Sequence, residues 1–307
     1  MVRLLLHNLD KDYGQVHALR DFTFSFEPGV YALLGPNGSG KTTLMNILSD
    51  NISADNGFVS FASDENQSGE EIGKMGIRYR QRLGYLPQDI ALYPAFSVER
   101  FMWYMATLKG VGGTVTARER KKKISDEIDS ILCAVELAED KKRRISSLSG
   151  GMKQRLGIAQ AILGSPSVLL LDEPTAGLDP QQRTNIRDFI YRIASDKIVI
   201  ISTHILSDVE SLAREFLMLR HGVLIDHGSK AELEKRIEGR VWSVCVPSEQ
   251  MGALAQKGKI LQTRETDGTV FLRLTATEKP TEDAIPETPT LEDYYLDTYG
   301  SFDAESE

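Results

Sequence analysis

The chain has few cysteines, no long apolar run and no leader-like start. Among 307 residues only Cys133 and Cys245 are cysteines, too few and too far apart for a disulfide framework or a metal cluster, so we expect each to be a small buried residue. No apolar run approaches the roughly 18 residues that span a bilayer. The N-terminus MVRLLLHNLDKD lacks a small-residue cleavage site. These absences predict a soluble chain that stays in the cytoplasm.

The acidic charge is confined to one end of the chain. The formal net charge is −8, but Ala276 to Glu307 holds ten acidic residues against the single base Lys279, which leaves the remainder close to neutral. Basic runs lie at residues 118–123 and 141–144. Such runs are usually solvated helix faces, and no nucleic-acid motif accompanies them. We therefore expect no nucleic-acid partner.

The order of strand and helix patterns indicates an α/β chain. Residues 1–34 predict strands, the last of which, VYALL, does not alternate and so suits a strand covered on both faces. Residues 53–80 predict turns and short strands at the periphery. Residues 98–148 have a helical pattern, after which the apolar strands VLLL and IVIIS alternate with helices, as in a parallel sheet.

A glycine-rich loop joins VYALL to the helix-like segment KTTLMNILS. In GPNGSGKT, Gly35 and Gly40 stand five apart and allow successive backbone N–H groups to point at a phosphate chain. Lys41 would supply a positive charge to the β and γ phosphates, Thr42 would offer a hydroxyl to Mg²⁺, and the helix start would add its positive end. The predicted phosphate-binding residues are Gly35, Pro36, Asn37, Gly38, Ser39, Gly40, Lys41, Thr42 and Thr43.

Two further segments carry chemistry. The apolar strand VLLL runs into Asp172 and Glu173; beside a phosphate loop, Asp172 would be the Mg²⁺ partner and Glu173 the base that orients the attacking water. Without that loop the segment could be a strand-ending turn. Ser149, Gly150 and Gly151 precede a helix, which suits either a second anion-binding helix start or ordinary capping. Asp179, followed by Pro180, predicts the N-cap of another helix.

The order GPNGSGKTT, GYLPQ, LSGGM, VLLLDEP, GLDP and STH resembles the nucleotide-binding subunits of ABC transporters over about residues 1–230. The resemblance implies a P-loop NTPase fold: a parallel-sheet core with an N-terminal antiparallel β subdomain, a helical insert at about residues 89–150, and a small C-terminal appendage with an acidic tail at residues 231–307. ATP and Mg²⁺ would be the cofactors. Met152 stands where many members carry Gln, which affects only a side-chain role.

The resemblance also implies roles for single residues. Tyr13 would stack on adenine, Gln88 would sense the metal and the water, and His204 would contact the γ-phosphate. Each also has a plain interpretation: a strand-end aromatic, a loop polar group and a satisfied histidine. Ser149 to Gly151 would act on the ATP of a second subunit, with Asp179 across the same interface. The implied catalytic set is Glu173, His204, Lys41 and Gln88, and the implied metal set is Thr42, Gln88 and Asp172.

Partners follow from the resemblance as well. The segments GYLPQDIALYPAFSVERFMWYMATLKGV and LEDYYLDTYG are similar to the ATPase subunits of bacterial two-component exporters of the drug or antibiotic type. This implies a head-to-tail pair of these subunits, expected to be a homodimer, and a separate membrane permease, with the chain on the cytoplasmic face of the cell membrane. The alternative is a soluble ABC-type ATPase that acts on ribosomes or DNA.

Overall fold

The computed structural model describes residues 2–64, 66–113, 116–266 and 268–300. The chain divides into two compact units, Met1–Asp226 and His227–Glu307, and each is described by itself. Within the described residues no helix is both long enough and apolar enough to cross a membrane.

The first unit alternates strands and helices. In chain order its elements are β1 (Arg3–Tyr13), β2 (Val16–Phe26), β3 (Gly29–Leu34), α1 (Lys41–Leu48), β4 (Asn56–Ser63), β5 (Asn66–Glu71), α2 (Ile72–Met75), α3 (Ile77–Arg80), β6 (Leu83–Leu86), α4 (Val98–Leu108), α5 (Ala117–Ala134), α6 (Gly150–Ile162), β7 (Val168–Asp172), α7 (Pro180–Ile193), β8 (Ile198–Ser202), α8 (Leu206–Val209), β9 (Glu215–Arg220) and β10 (Val223–Gly228). The sheets have the strand orders β2-β1-β4-β5 and β10-β9-β3-β8-β7-β6.

The sheet β2-β1-β4-β5 is the predicted antiparallel subdomain. β1 pairs antiparallel with β2 and with β4, and the alternate residues Leu4 and Leu6 are buried. The expectation that residues 53–80 lie at the periphery is wrong for part of that segment. Phe61 and Tyr79 are both buried, with ring centroids 5.9 Å apart, because β4 is buried from Val59 to Ala62 and Tyr79 on α3 packs against it.

The second sheet is the core of the unit. β3 runs parallel to β8 and β9, and β7 runs parallel to β6 and β8. All residues of β7 and β8 are buried, as expected of parallel strands covered on both faces. The prediction of an α/β fold with a parallel sheet is confirmed.

Residues 98–148 contain the predicted helices. α4 begins at the N-cap Ser97, and α5 begins at Thr116. Phe101 and Met102 on α4 are buried. The expectation for Cys133 is wrong: it is exposed on α5, because its neighbours Ile131 and Leu132 already occupy the inward face of that helix.

The second unit is a small sheet with short helices. Its elements are α9 (Lys230–Lys235), β11 (Val241–Pro247), α10 (Met251–Ala255), β12 (Lys259–Thr266), β13 (Thr269–Thr275), β14 (Ile285–Pro286) and α11 (Leu291–Tyr299). The sheet has the antiparallel order β12-β13-β11-β14. Cys245 is exposed, again against expectation, because Val244 and Val246 on β11 face the core and the residue between them faces outward.

The last helix of the second unit has a capping residue at each end. Thr290 is the N-cap of α11 and forms a capping box with Asp293. Gly300 is the C-cap, with a left-handed φ of 98°. Leu291, Tyr294 and Tyr295 are buried.

Candidate functional site

Parallel strands bring the candidate residues to one edge of the core sheet. Leu33 near the end of β3 pairs with Ser202, the last residue of β8, and Asp172 at the end of β7 pairs with the same serine. Because parallel strands end at the same edge, the loop after β3 lies beside Asp172 and Glu173. The sheet topology therefore assembles residues that are far apart in sequence.

The loop from Gly35 to Gly40 requires glycine at both ends. Gly35 has φ 155°, and a Cβ there would lie 2.3 Å from the carbonyl oxygen of Leu219. Gly40 has φ 104°, and a Cβ there would lie 2.4 Å from the carbonyl oxygen of Ala18. α1 begins at the next residue, Lys41. The loop thus wraps tightly and delivers a helix N-terminus, which favours anions.

Lys41 lies along the loop. Its ammonium Nζ donates to the carbonyl oxygens of Gly35 at 2.7 Å and Pro36 at 2.9 Å. Burial lowers the pKa of Lys41, and the charges of Glu173 and Asp172 oppose that decrease. The side chain is therefore a positioned cation next to two carboxylates.

Asp172 is a buried carboxylate with an unsatisfied oxygen. It is 2% exposed, and within the described part of the chain its Oδ2 has no hydrogen-bond partner. Burial raises the pKa of Asp172, against a hydrogen bond from Ser202 that lowers it. A buried oxygen of this kind costs free energy unless something else satisfies it, so it points to a ligand.

That oxygen fits a magnesium ion. Mg²⁺ prefers oxygen ligands and is commonly held by one or two carboxylates together with phosphates and waters, without an all-protein cage. In the residues that the structure describes, no group of three or more His, Cys, Asp or Glu residues could hold a metal ion. The predicted metal residues Thr42, Gln88 and Asp172 all line one cleft, which suits an ion shared with a phosphate chain.

Glu173 follows in a left-handed conformation. Its φ is 51°, which is unfavourable for a residue with a side chain. Its N–H donates to the carbonyl oxygen of Ser202 at 2.9 Å. Its carboxylate lies 2.8 Å from Nδ1 of His204 and accepts from Thr203 at 3.4 Å. The backbone conformation and these contacts fix the direction of the carboxylate.

The cleft that these residues line has a volume of about 380 Å³. Its walls are Tyr13, Val16, Ala18, Asn37, Gly38, Ser39, Gly40, Lys41, Thr42, Thr43, Gln88, Asp172, Glu173 and Ser202. Tyr13 is 51% exposed at the rim. Most of the residues predicted to bind nucleotide therefore share one opening large enough for a small ligand.

The other predicted residues lie outside that lining. Ser149 is exposed and caps α6, accepting from the N–H of Met152 at 3.2 Å. Gly150 and Gly151 form the first turn of α6. Asp179 is also exposed and caps α7, accepting from the N–H of Gln182 at 2.8 Å, as predicted. These helix starts are accessible but do not line the cleft of their own chain.

Three polar residues next to Glu173 were not predicted. Gln154 donates to the carbonyl oxygen of Glu173 at 3.0 Å, and Ser202 and Thr203 contact Glu173 from the end of β8. A polar residue among the buried positions of α6 was the available signal for Gln154. Its partner could not be read from spacing, since 19 residues separate them.

The chain is similar to known ATP-binding proteins over most of its length. The family model described as ABC transporter matches residues 19–176. An uncharacterized ABC transporter ATP-binding protein, YxlF of Bacillus subtilis (strain 168), is 32% identical over 83% of this chain and 80% of its own. The linearmycin resistance ATP-binding protein LnrL of the same strain is 32% identical, over 77% and 72%. The lantibiotic transport ATP-binding protein SrtF of Streptococcus pyogenes is 35% identical, over 77% and 92%.

Solved structures share the fold. An ATP-binding subunit of an ABC transporter aligns with a TM-score of 0.66 and 24% identity, over 76% of this chain and 92% of its own. A dimeric bacterial ABC transporter cassette aligns with a TM-score of 0.62 and 23% identity, over 74% and 98%.

Proposed function

The chain belongs to the ABC transporter family and is an ATP-binding, ATP-hydrolysing motor subunit; from this premise we propose that it drives a separate exporter permease as one half of a homodimer. The observation that carries the proposal is the cleft where the phosphate loop, Asp172 and Glu173 meet. The comparisons give no support to action on ribosomes or DNA.

We assign nucleotide binding to the loop and its neighbours. The backbone N–H groups of residues 35–43 and the start of α1 would hold the phosphates, and Lys41 would pair with the β and γ phosphates. Tyr13 at the rim would stack on the adenine ring. Asp172, Thr42 and Gln88 would hold Mg²⁺, which when bound supplies charge neutralisation for the phosphate chain.

We assign the general base to Glu173. Its carboxylate lines the cleft that Lys41 lines, and so it can orient a water against the γ-phosphate and accept its proton. His204, 2.8 Å from that carboxylate, would contact the γ-phosphate. Because the residues supply position and charge and no covalent step, a small movement of Glu173 would cost much of the rate.

The substitution Glu173→Gln tests this assignment. The variant keeps size and hydrogen bonding but cannot accept a proton, so we expect turnover to fall by about 10²- to 10⁴-fold while ATP affinity stays near that of the unmodified chain. Steady-state ATPase assays and equilibrium nucleotide binding measure both. The exposed Glu139 provides the control Glu139→Gln, which should turn over normally. Near-normal turnover of Glu173→Gln would refute the assigned base.

A second subunit would complete the site. The exposed starts of α6 at Ser149 to Gly151 and of α7 at Asp179 do not line the cleft of their own chain, yet a helix N-terminus suits an anion. In a head-to-tail pair, each α6 start would face the ATP of the other copy. The isolated monomer should accordingly hydrolyse ATP poorly.

The exporter assignment rests on relatives. The linearmycin resistance ATP-binding protein and the lantibiotic transport ATP-binding protein are 32% and 35% identical to this chain. We assign residues 1–230 to the nucleotide-binding domain and 231–307 to an appendage, and place the chain at the cytoplasmic face of a membrane. Affinity purification from detergent-solubilised membranes should yield a multi-span permease; recovery without any membrane protein contradicts the assignment.

A further inference from the structure

Gln154 connects α6 to the peptide of Glu173. Its amide Nε2 donates to the carbonyl oxygen of Glu173 at 3.0 Å, and the side chain is only 8% exposed. A buried amide in a helix that is otherwise apolar on that face costs free energy unless its donors and acceptor are satisfied. The contact with Glu173 provides that partner.

Glu173, whose carbonyl Gln154 binds, has a strained backbone conformation. Glu173 has φ 51°, a left-handed conformation that is unfavourable for a residue with a Cβ. Its N–H donates to the carbonyl oxygen of Ser202 on β8, and its own carbonyl oxygen accepts from Gln154 on α6 at 3.0 Å and from the N–H of Ala176 at 3.1 Å. Both sides of the residue are therefore fixed by different elements, which is how a left-handed residue persists.

We propose that Gln154 is a positioning residue for Glu173: by holding its carbonyl, α6 sets the direction in which the carboxylate enters the cleft. The proposal rests on the proposed role of Glu173 as the base. Gln154 does not line the cleft, so it acts through Glu173 and not on the nucleotide. Loss of its donor leaves the carbonyl of Glu173 held only by the N–H of Ala176, so that α6 no longer fixes the peptide and the carboxylate shifts from its place beside His204.

α6 supplies a matched control. Gln160 lies on the same helix, and its Nε2 donates to the carbonyl oxygen of Tyr85, also at 3.0 Å. The variants Gln154→Met and Gln160→Met each remove one such hydrogen bond from α6 and keep a long unbranched side chain. They differ in the peptide that they release: Glu173 in the first case and Tyr85 on β6 in the second.

The test compares turnover and nucleotide affinity of the full-length variants. We expect Gln154→Met to lower kcat about 10- to 100-fold, the loss that a displacement of about 1 Å produces, with Kd for ATP changed by less than about threefold. Gln160→Met should keep kcat within about twofold. An equal loss of kcat in the two variants, or weaker ATP binding with kcat unchanged, overturns the proposal. If Gln154→Met does not fold, Gln154→Leu replaces it.

A double variant separates this proposal from the role of Glu173 itself. If Gln154 acts through Glu173, then Gln154→Met made in Glu173→Gln lowers kcat no further, because the two effects are not additive. A further drop of tenfold in the double variant overturns the proposal. Normal turnover in Glu173→Gln overturns the assigned base, whereas an inactive Glu173→Gln beside a fully active Gln154→Met overturns only the role of Gln154.

Discussion

Among the described residues, each unit of the molecule contains an aspartate that is no more than 2% exposed, and these two aspartates differ in their hydrogen bonding. Asp172 is 2% exposed and Asp293 is 0% exposed. The Oδ2 atom of Asp172 has no partner among the described residues. Asp293 accepts from Nε of Arg273 at 2.6 Å on one oxygen, and from Nη2 of Arg273 and the N–H of Thr290, each at 2.7 Å, on the other.

The pKa values shift in opposite directions for that reason. Burial raises the pKa of Asp172, and the hydrogen bond from Ser202 and the charge of Lys41 only partly oppose it. Burial also tends to raise the pKa of Asp293, but the bonds from Arg273 and Thr290 outweigh it, so the net shift is downward. A carboxylate whose oxygens accept hydrogen bonds stabilises a fold, whereas one with an unpaired oxygen can still bind a ligand but lowers stability.

The largest expected effect comes from changing Asp172, the carboxylate with an unpaired oxygen. Asp172→Asn keeps the shape and removes the charge, so ATPase activity should fall about 100-fold or more, since charge neutralisation by a metal contributes several kcal/mol. The free energy of unfolding without nucleotide should stay the same or increase, because a buried charge is gone. ATPase assays and urea titrations measure the two quantities. A marked loss of stability would show that the charge supports the fold.

The next largest effect comes from changing Asp293, the carboxylate whose oxygens accept hydrogen bonds. Asp293→Asn removes the charge that Arg273 pairs with at 2.6 Å and leaves its guanidinium, among the described residues, only the longer 3.6 Å ion pair with Glu287, which should cost about 3–5 kcal/mol. The chain has two tryptophans, and Trp242 lies on β11, so urea titrations followed by fluorescence in a Trp103→Phe background report on the second unit. The exposed Glu278 gives the control Glu278→Gln, expected within about 0.5 kcal/mol. A loss no larger than the control would remove the contrast between the aspartates.

The smallest effect is the dependence of unfolding on pH. The lowered pKa of Asp293 means that its contribution is present above the ordinary aspartate pKa of 3.8 and is lost as the pH falls through the folded value. The raised pKa of Asp172 means that its contribution is fully present below 3.8 and is lost as the pH rises. As the pH falls from 7 to 4, the stability of the unmodified chain relative to Asp172→Asn should therefore increase.

The same titration gives the opposite trend for the second unit. The stability of the unmodified chain relative to Asp293→Asn should decrease as the pH falls below about 4. Urea midpoints at several pH values measure both differences. Parallel trends for the two variants would contradict the opposite pKa shifts.

The sequence predicted the elements whose signals are local. The buried runs of β7 and β8 and the cap at Asp179 depend on neighbouring residues alone. The phosphate loop could be predicted too, because its signal is the glycines themselves. Gly35 has a φ that favours glycine.

Contacts between distant segments could not be predicted in this way. Gln154 meets Glu173, and Arg273 meets Asp293, only after helices have packed on sheets. The exposure of Cys133 depends on which face of α5 turns inward, and composition does not specify that face. The assigned roles of Tyr13, Gln88 and His204 remain predictions that substitution must test.

α6 is anchored by side chains along much of its length. Gln154 binds the carbonyl of Glu173, Gln160 binds that of Tyr85, and the ammonium of Lys109 binds the carbonyl of Ala161 at 2.9 Å near the end of the helix. These hydrogen bonds tie the helix to β6 and to the residue that follows β7. A displacement of its first turn at Ser149 would therefore be transmitted to the peptide of Glu173, one turn further along the helix.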